Sequence, residues 1–151
     1  MVRKRFTTLS SAFFQAEPKS SLSENYKICT TNANVFLEVK FTPIGLAVAN
    51  DVFVEELVGD TLKRRRLVLV GDADPNKDGD IHCLLGKAKD LVAKKLYVFS
   101  TVAATAQTGA PVRAKLKAAI TGCPKEWKGA LEKTISHVGG SLSFSIEVMF
   151  Y

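Results

Sequence analysis

The residues best spaced for chemistry lie shortly after Gly71, in Asp74-Pro75-Asn76-Lys77-Asp78-Gly79-Asp80-Ile81. Oxygen ligands at the first, third and fifth positions, Gly at the sixth and Ile at the eighth begin the calcium-loop pattern of EF-hands and dockerin modules. Alternate oxygens wrap one hard cation there, and the glycine permits the sharp bend. Asp74, Asn76, Asp78 and Asp80 are therefore the candidate calcium ligands. The twelfth position, however, is Leu85 in place of a bidentate Glu, and Leu67 to Val70 reads as strand where an entering helix should be. An ordinary solvated turn has the same composition, because Asx residues and glycine are the preferred turn formers.

A second chemistry is electrostatic. Twenty-one Lys and Arg stand against 15 Asp and Glu in 151 residues, a formal charge of +6, which biases the molecule toward polyanions. Between Lys87 and Lys133 ten cations face three carboxylates: Lys87, Lys89, Lys94, Lys95, Arg113, Lys115, Lys117, Lys125, Lys128 and Lys133 against Asp90, Glu126 and Glu132. With Lys63, Arg64, Arg65, Arg66 and the leading Arg3, Lys4 and Arg5, they form a candidate surface for nucleic-acid phosphates, RNA or single-stranded DNA. Arginine matters most in such a set because its planar fork holds phosphate oxygens bidentately. Tyr26, Phe36 and Tyr97 are the aromatic candidates for base stacking. Without an RNP, KH or zinc-finger signature, binding would be largely independent of sequence.

Catalytic constellations are weaker. His82 and His137 are the two histidines, and Cys83, beside His82, would point away from it on a strand or helix. No Gly-x-Ser-x-Gly, Walker, dinucleotide-binding or His-Glu-x-x-His motif occurs, so a non-catalytic protein is the expectation. Cys29, Cys83 and Cys123 are odd in number and widely spaced, with no zinc-ligand interval; they read as ordinary thiols in a reducing, intracellular compartment.

Length and composition point to one compact domain, residues 17–151, behind a basic arm, residues 1–16. That arm also has the composition of a mitochondrial transit peptide, with Arg3, Lys4 and Arg5 among threonines and serines and no acidic residue before Glu17. No apolar run reaches the roughly 18 to 20 residues of a membrane-spanning helix.

The elements that must position these residues follow from periodicity. Val35, Leu37, Val39 and Phe41 alternate with polar neighbours, a half-buried strand. A further strand is expected over Ile44 to Ala49, and a hairpin over Val52 to Val70. Gly59-Asp60 turns that hairpin, setting Val58 against Thr61, Glu56 against Lys63, Glu55 against Arg64, Val54 against Arg65 and Phe53 against Arg66. Helical spacing of Leu84, Ala88, Leu91 and Val92 predicts a helix over residues 82–96, with others over 111–121 and from Pro124 to Gly139. Tyr97 to Ala104 and Leu142 to Val148 read as strands. The expected fold is α+β: a mainly antiparallel sheet of about five to seven strands with about three helices on one face. Opposite charge on the acidic loop and the basic helical region further suggests a homo-oligomer, as in a viral coat or nucleoprotein-like subunit. The competing expectation is a calcium-stabilised structural or adhesive module.

Overall fold

A computed structural model describes residues 20–72 and 80–151. The basic arm with Arg3, Lys4 and Arg5, and the loop residues Asp74, Asn76 and Asp78, lie outside the described residues. The chain forms β1 (Ser21–Tyr26), β2 (Asn34–Thr42), β3 (Ala47–Val58), β4 (Thr61–Asp72), β5 (Ile81–Lys87), α1 (Ala88–Leu91), β6 (Lys95–Ala103), β7 (Val112–Thr121), β8 (Trp127–Ile135) and β9 (Ser141–Phe150).

These strands make two sheets, ordered β1-β9-β6-β3-β4 and β5-β2-β7-β8. β1 pairs with β9 in parallel, and every other pairing is antiparallel. The protein is therefore all-β, which corrects the α+β expectation of a single sheet covered by about three helices. One short helix, four residues long, remains among the described residues. The reason is visible in the spacing. Trp127, Leu131 and Ile135 are four apart, which places them on one side of a helix and equally on one side of a strand, because four is even. All three are buried on β8. On β7, Ala114, Leu116, Ala118 and Ile120 are buried while Arg113, Lys115 and Lys117 are exposed, a period of two carried by residues that individually favour helix. The segment expected as helix 82–96 splits into β5, the single turn α1 and the start of β6.

The inward faces of both sheets meet in one apolar core. Val35, Leu37, Val39 and Phe41 from β2 and Phe144, Ile146, Val148 and Phe150 from β9 belong to it. Each such side chain withdrawn from water contributes about 1.5 to 3 kcal/mol. A buried polar pair interrupts the core: Ser100 Oγ donates to Asn50 Oδ1 at 2.6 Å. The strand expected over Ile44 to Ala49 and the first arm of the hairpin are in fact one strand, β3, which runs through Asn50 because that amide is satisfied inside.

The hairpin register agrees with the sequence reading at all five expected pairs, from Val58 with Thr61 to Phe53 with Arg66. Gly59 turns it with φ +62°, a conformation that a residue without Cβ adopts at no steric cost. A bulge at Val52/Phe53 then resets the pairing.

At one margin the two sheets are tied covalently. Cys29, just after β1, and Cys123, in the β7–β8 connection, form a disulfide with Cα atoms 5.7 Å apart and 94 residues between them in sequence. This corrects the reading of all three cysteines as ordinary thiols; wide spacing in sequence does not forbid proximity in a sandwich. Trp127 Nε1 donates to the Glu24 carboxylate at 2.9 Å, and the Tyr26 hydroxyl donates to the Lys125 carbonyl, closing the same margin. At the opposite margin Arg65 Nη2 donates to the Leu85 carbonyl at 2.8 Å, and Phe41 N donates to the Asp80 carboxylate at 3.1 Å.

Candidate anion-binding site

Alternation along a strand sends every second side chain outward, so each sheet of the sandwich presents one solvent face. The predicted cations divide between these faces and the margins. Arg64, Arg66 and Lys95 project from the five-stranded sheet. There Arg64 Nε meets Glu55 at 2.9 Å, Arg66 meets both oxygens of Asp51 at 2.9 and 3.3 Å, and Lys95 Nζ meets Glu147 at 3.6 Å. An aromatic ladder of Phe53, Tyr97 and Phe99, with ring centroids 5.0 to 6.0 Å apart, runs between them. The Arg64 guanidinium lies 4.7 Å from the Phe53 centroid, and Lys95 lies 5.7 Å from that of Tyr97. Tyr97, then Glu147, hold the Lys95 ammonium above the usual lysine value. All three cations on this face are thus neutralised locally.

The outer face of the four-stranded sheet is arranged differently. Register places Lys40 directly opposite Lys117, and Lys117 opposite Ala130; in the adjacent outward row Glu38 faces Ala119, and Ala119 faces Lys128. The two alanines sit diagonally and leave a hollow of about 370 Å³, bordered by Glu38, Lys40, Lys117 and Lys128. Among the described residues no carboxylate lies within ion-pair distance of Lys40, Lys117 or Lys128. Glu38 is directed instead to His82 Nε2, at 4.0 Å. One row further, Glu132 serves two cations, Arg113 Nη1 at 2.6 Å and Lys115 Nζ at 4.0 Å. Among the described residues five cations therefore share this face with two carboxylates.

Like charges directly opposite on neighbouring strands destabilise a sheet. The Lys40–Lys117 pair costs the fold a little, and a bound anion would remove that cost. Small floor residues and long cationic walls suit a phosphate group whose ester or sugar rests on the alanines.

The remaining predicted cations do not join this site. Lys63, on β4, and Lys94, bonded to Glu56 at 3.3 Å, line a separate cavity under the β3–β4 hairpin. Arg65 reaches the Leu85 carbonyl, and Lys87 ends β5 at a sheet edge. Of the aromatic candidates, Tyr26 is buried and Tyr97 is packed in the ladder of the other face. Phe36 alone stands outward on the cationic sheet, its ring 5.3 Å from that of His82. Lys40 was missed in the sequence although it occupies an outward position of the clear strand Val35 to Phe41. Lys128 was counted in the basic region but not singled out, because a helical reading gives it no special neighbours.

His82 and Cys83 point to opposite sides of β5: His82 shares the outer face with Glu38, and Cys83 faces Leu37. Burial pushes the Cys83 thiol up, away from the thiolate a nucleophile needs. Among the described residues no group of three or more His, Cys, Asp or Glu is placed to hold a metal ion. Asp80, the one calcium candidate described, accepts the Phe41 amide, and its loop joins two strands, β4 and β5. No protein-family model matches this chain, and no curated protein and no solved structure is detectably similar to it.

Proposed function

We propose that this protein is a non-catalytic binder of single-stranded nucleic acid, which it grips by its phosphates through the outer face of the four-stranded sheet. The observation that carries this is the trio Lys40, Lys117 and Lys128 around a small-residue hollow, none of the three within ion-pair distance of a carboxylate among the described residues. Lys115 and Arg113 extend the cationic row, and Phe36 offers a ring at its other end. Nothing in the arrangement reads base edges, so recognition is independent of sequence.

A coat- or nucleoprotein-like subunit also needs a surface for its own copies. We assign that role to the outer face of the five-stranded sheet, where Leu57, Leu62, Phe99 and Met149 are exposed between balanced ion pairs. A neutral face with alternating signs is complementary to itself. The Cys29–Cys123 bridge favours an oxidising compartment over the reducing one suggested by cysteine spacing.

Fluorescence anisotropy with a labelled single strand tests the binding. Three phosphates neutralised on a single strand give a log–log salt slope of about −2. Affinity that is absent at low salt, or indifferent to salt, overturns the proposal.

A further inference from the structure

A second cationic enclosure lies away from the groove, beneath the β3–β4 hairpin. Val54, Glu56, Lys63, Arg64, Arg65 and Lys94 surround a cavity of about 200 Å³. Its charges do not cancel. Arg64 is taken by Glu55 on the outer face. Glu56, the only carboxylate of the lining, faces Lys63 across the hairpin and is bonded to Lys94 at 3.3 Å. One carboxylate thus stands beside two ammonium groups, and of these Lys94 alone is within ion-pair distance of it among the described residues. Arg65 stands opposite Val54, and its one hydrogen-bond partner among the described residues is the Leu85 carbonyl, at 2.8 Å. A carbonyl accepts one of the five N–H donors of a guanidinium and cancels none of its charge. It also fixes the plane of the fork, so the free donors are preorganised.

We propose that this cavity binds a single compact oxyanion, a phosphate group, held by the free side of the Arg65 fork and by the ammonium groups of Lys63 and Lys94. The volume is below the roughly 300 Å³ at which drug-sized ligand sites begin. It suits a phosphate, either free or as the terminal phosphomonoester of a larger molecule, and is too small for a whole nucleotide. This site shares no residue with the groove and stands whether or not the groove binds nucleic acid.

Amide chemical shifts of the whole chain, followed during titration with inorganic phosphate at constant ionic strength, test the assignment. Saturable shifts at Val54, Glu56, Lys63 and Arg65 are expected. Lys63→Met and Arg65→Lys should each weaken phosphate binding by about tenfold, the worth of one charge-assisted hydrogen bond. Glu56→Gln, which removes the competing carboxylate, should tighten it; a merely structural role for Glu56 would not. Equal shifts with chloride, or affinities unchanged in Lys63→Met and Glu56→Gln, overturn the proposal. The source of the phosphate is read in a Lys117→Gln background, with short oligonucleotides that carry or lack a terminal phosphate. Displacement of inorganic phosphate by the phosphorylated strand alone assigns a phosphomonoester end, and displacement by neither assigns free phosphate. Equal displacement by both shows that internal phosphodiesters enter, and overturns the compact-anion assignment.

Discussion

Among the described residues the two outer faces of the sandwich carry three and five cations and dispose of them differently. On the five-stranded sheet Arg64, Arg66 and Lys95 each have a carboxylate within 4 Å, and two of them also lie over a ring. On the four-stranded sheet Lys40, Lys117 and Lys128 have none among the described residues, and two of them confront each other across a strand pair. Exposed ion pairs contribute only about 0 to 1 kcal/mol each, so the first arrangement does little for stability. Its effect is to remove those charges from the field seen by a polyanion. A net charge of +6 therefore says little about a binding surface until the paired cations are set aside.

The largest expected effect concerns the body that holds the faces together. Replacing the bridge by Cys29→Ser with Cys123→Ser should lower unfolding free energy by about 2 to 4 kcal/mol, read from urea midpoints. Single-strand affinity measured below the transition should be unchanged, because β2, β7 and β8 set the groove through their own ladder. Loss of affinity in the folded variant would show that the clamp, and not the sheet, shapes the site.

Next in size is a charge-matched contrast. Lys40→Glu with Lys117→Glu and Arg64→Glu with Arg66→Glu change net charge equally. The first pair should cost about a hundredfold in single-strand affinity at low salt, near 2.7 kcal/mol, and the second pair less than about threefold. Equal losses would mean that only overall charge matters, and the distinction between faces would fall.

How much of this was legible beforehand depends on whether the deciding contact is local. The Glu55–Arg64 pairing and its neighbours follow from a two-residue turn, and all the expected opposites hold. The same reading left Arg65 and Arg66 without acidic partners across the strand. Arg66 in fact reaches diagonally to Asp51, two residues along β3 from its direct opposite Phe53, and Arg65 leaves its own sheet for the Leu85 carbonyl. Asp51 lay outside the hairpin expected from Val52, and the approach of a second sheet is not encoded in spacing. The groove was hidden for a related reason. Lys115 and Lys117 alternate with buried residues, yet Ala, Leu and Lys together invite a helix, and tertiary pairing overrides that preference. Once β7 is a strand, Lys40 and Lys128 become its neighbours.

The smallest effects are the most discriminating, because they differ in sign. Lys117→Gln removes one member of a facing like-charged pair, so it should raise stability by a few tenths of a kcal/mol while weakening single-strand binding several-fold. Arg66→Gln breaks the Asp51 pair, so it should lower stability by up to about 1 kcal/mol and leave binding unchanged. Both stability changes are electrostatic and exposed, and both should shrink toward zero near 1 M salt, where screening acts over about 3 Å. Paired thermal melts at low and high salt measure the four values. If Lys117→Gln destabilises at low salt, Lys117 is holding the sheet together, and the claim that this face bears an unrelieved cost awaiting an anion is wrong. If it stabilises only at low salt, the repulsion is present in the unbound protein and a phosphate is the natural group to relieve it.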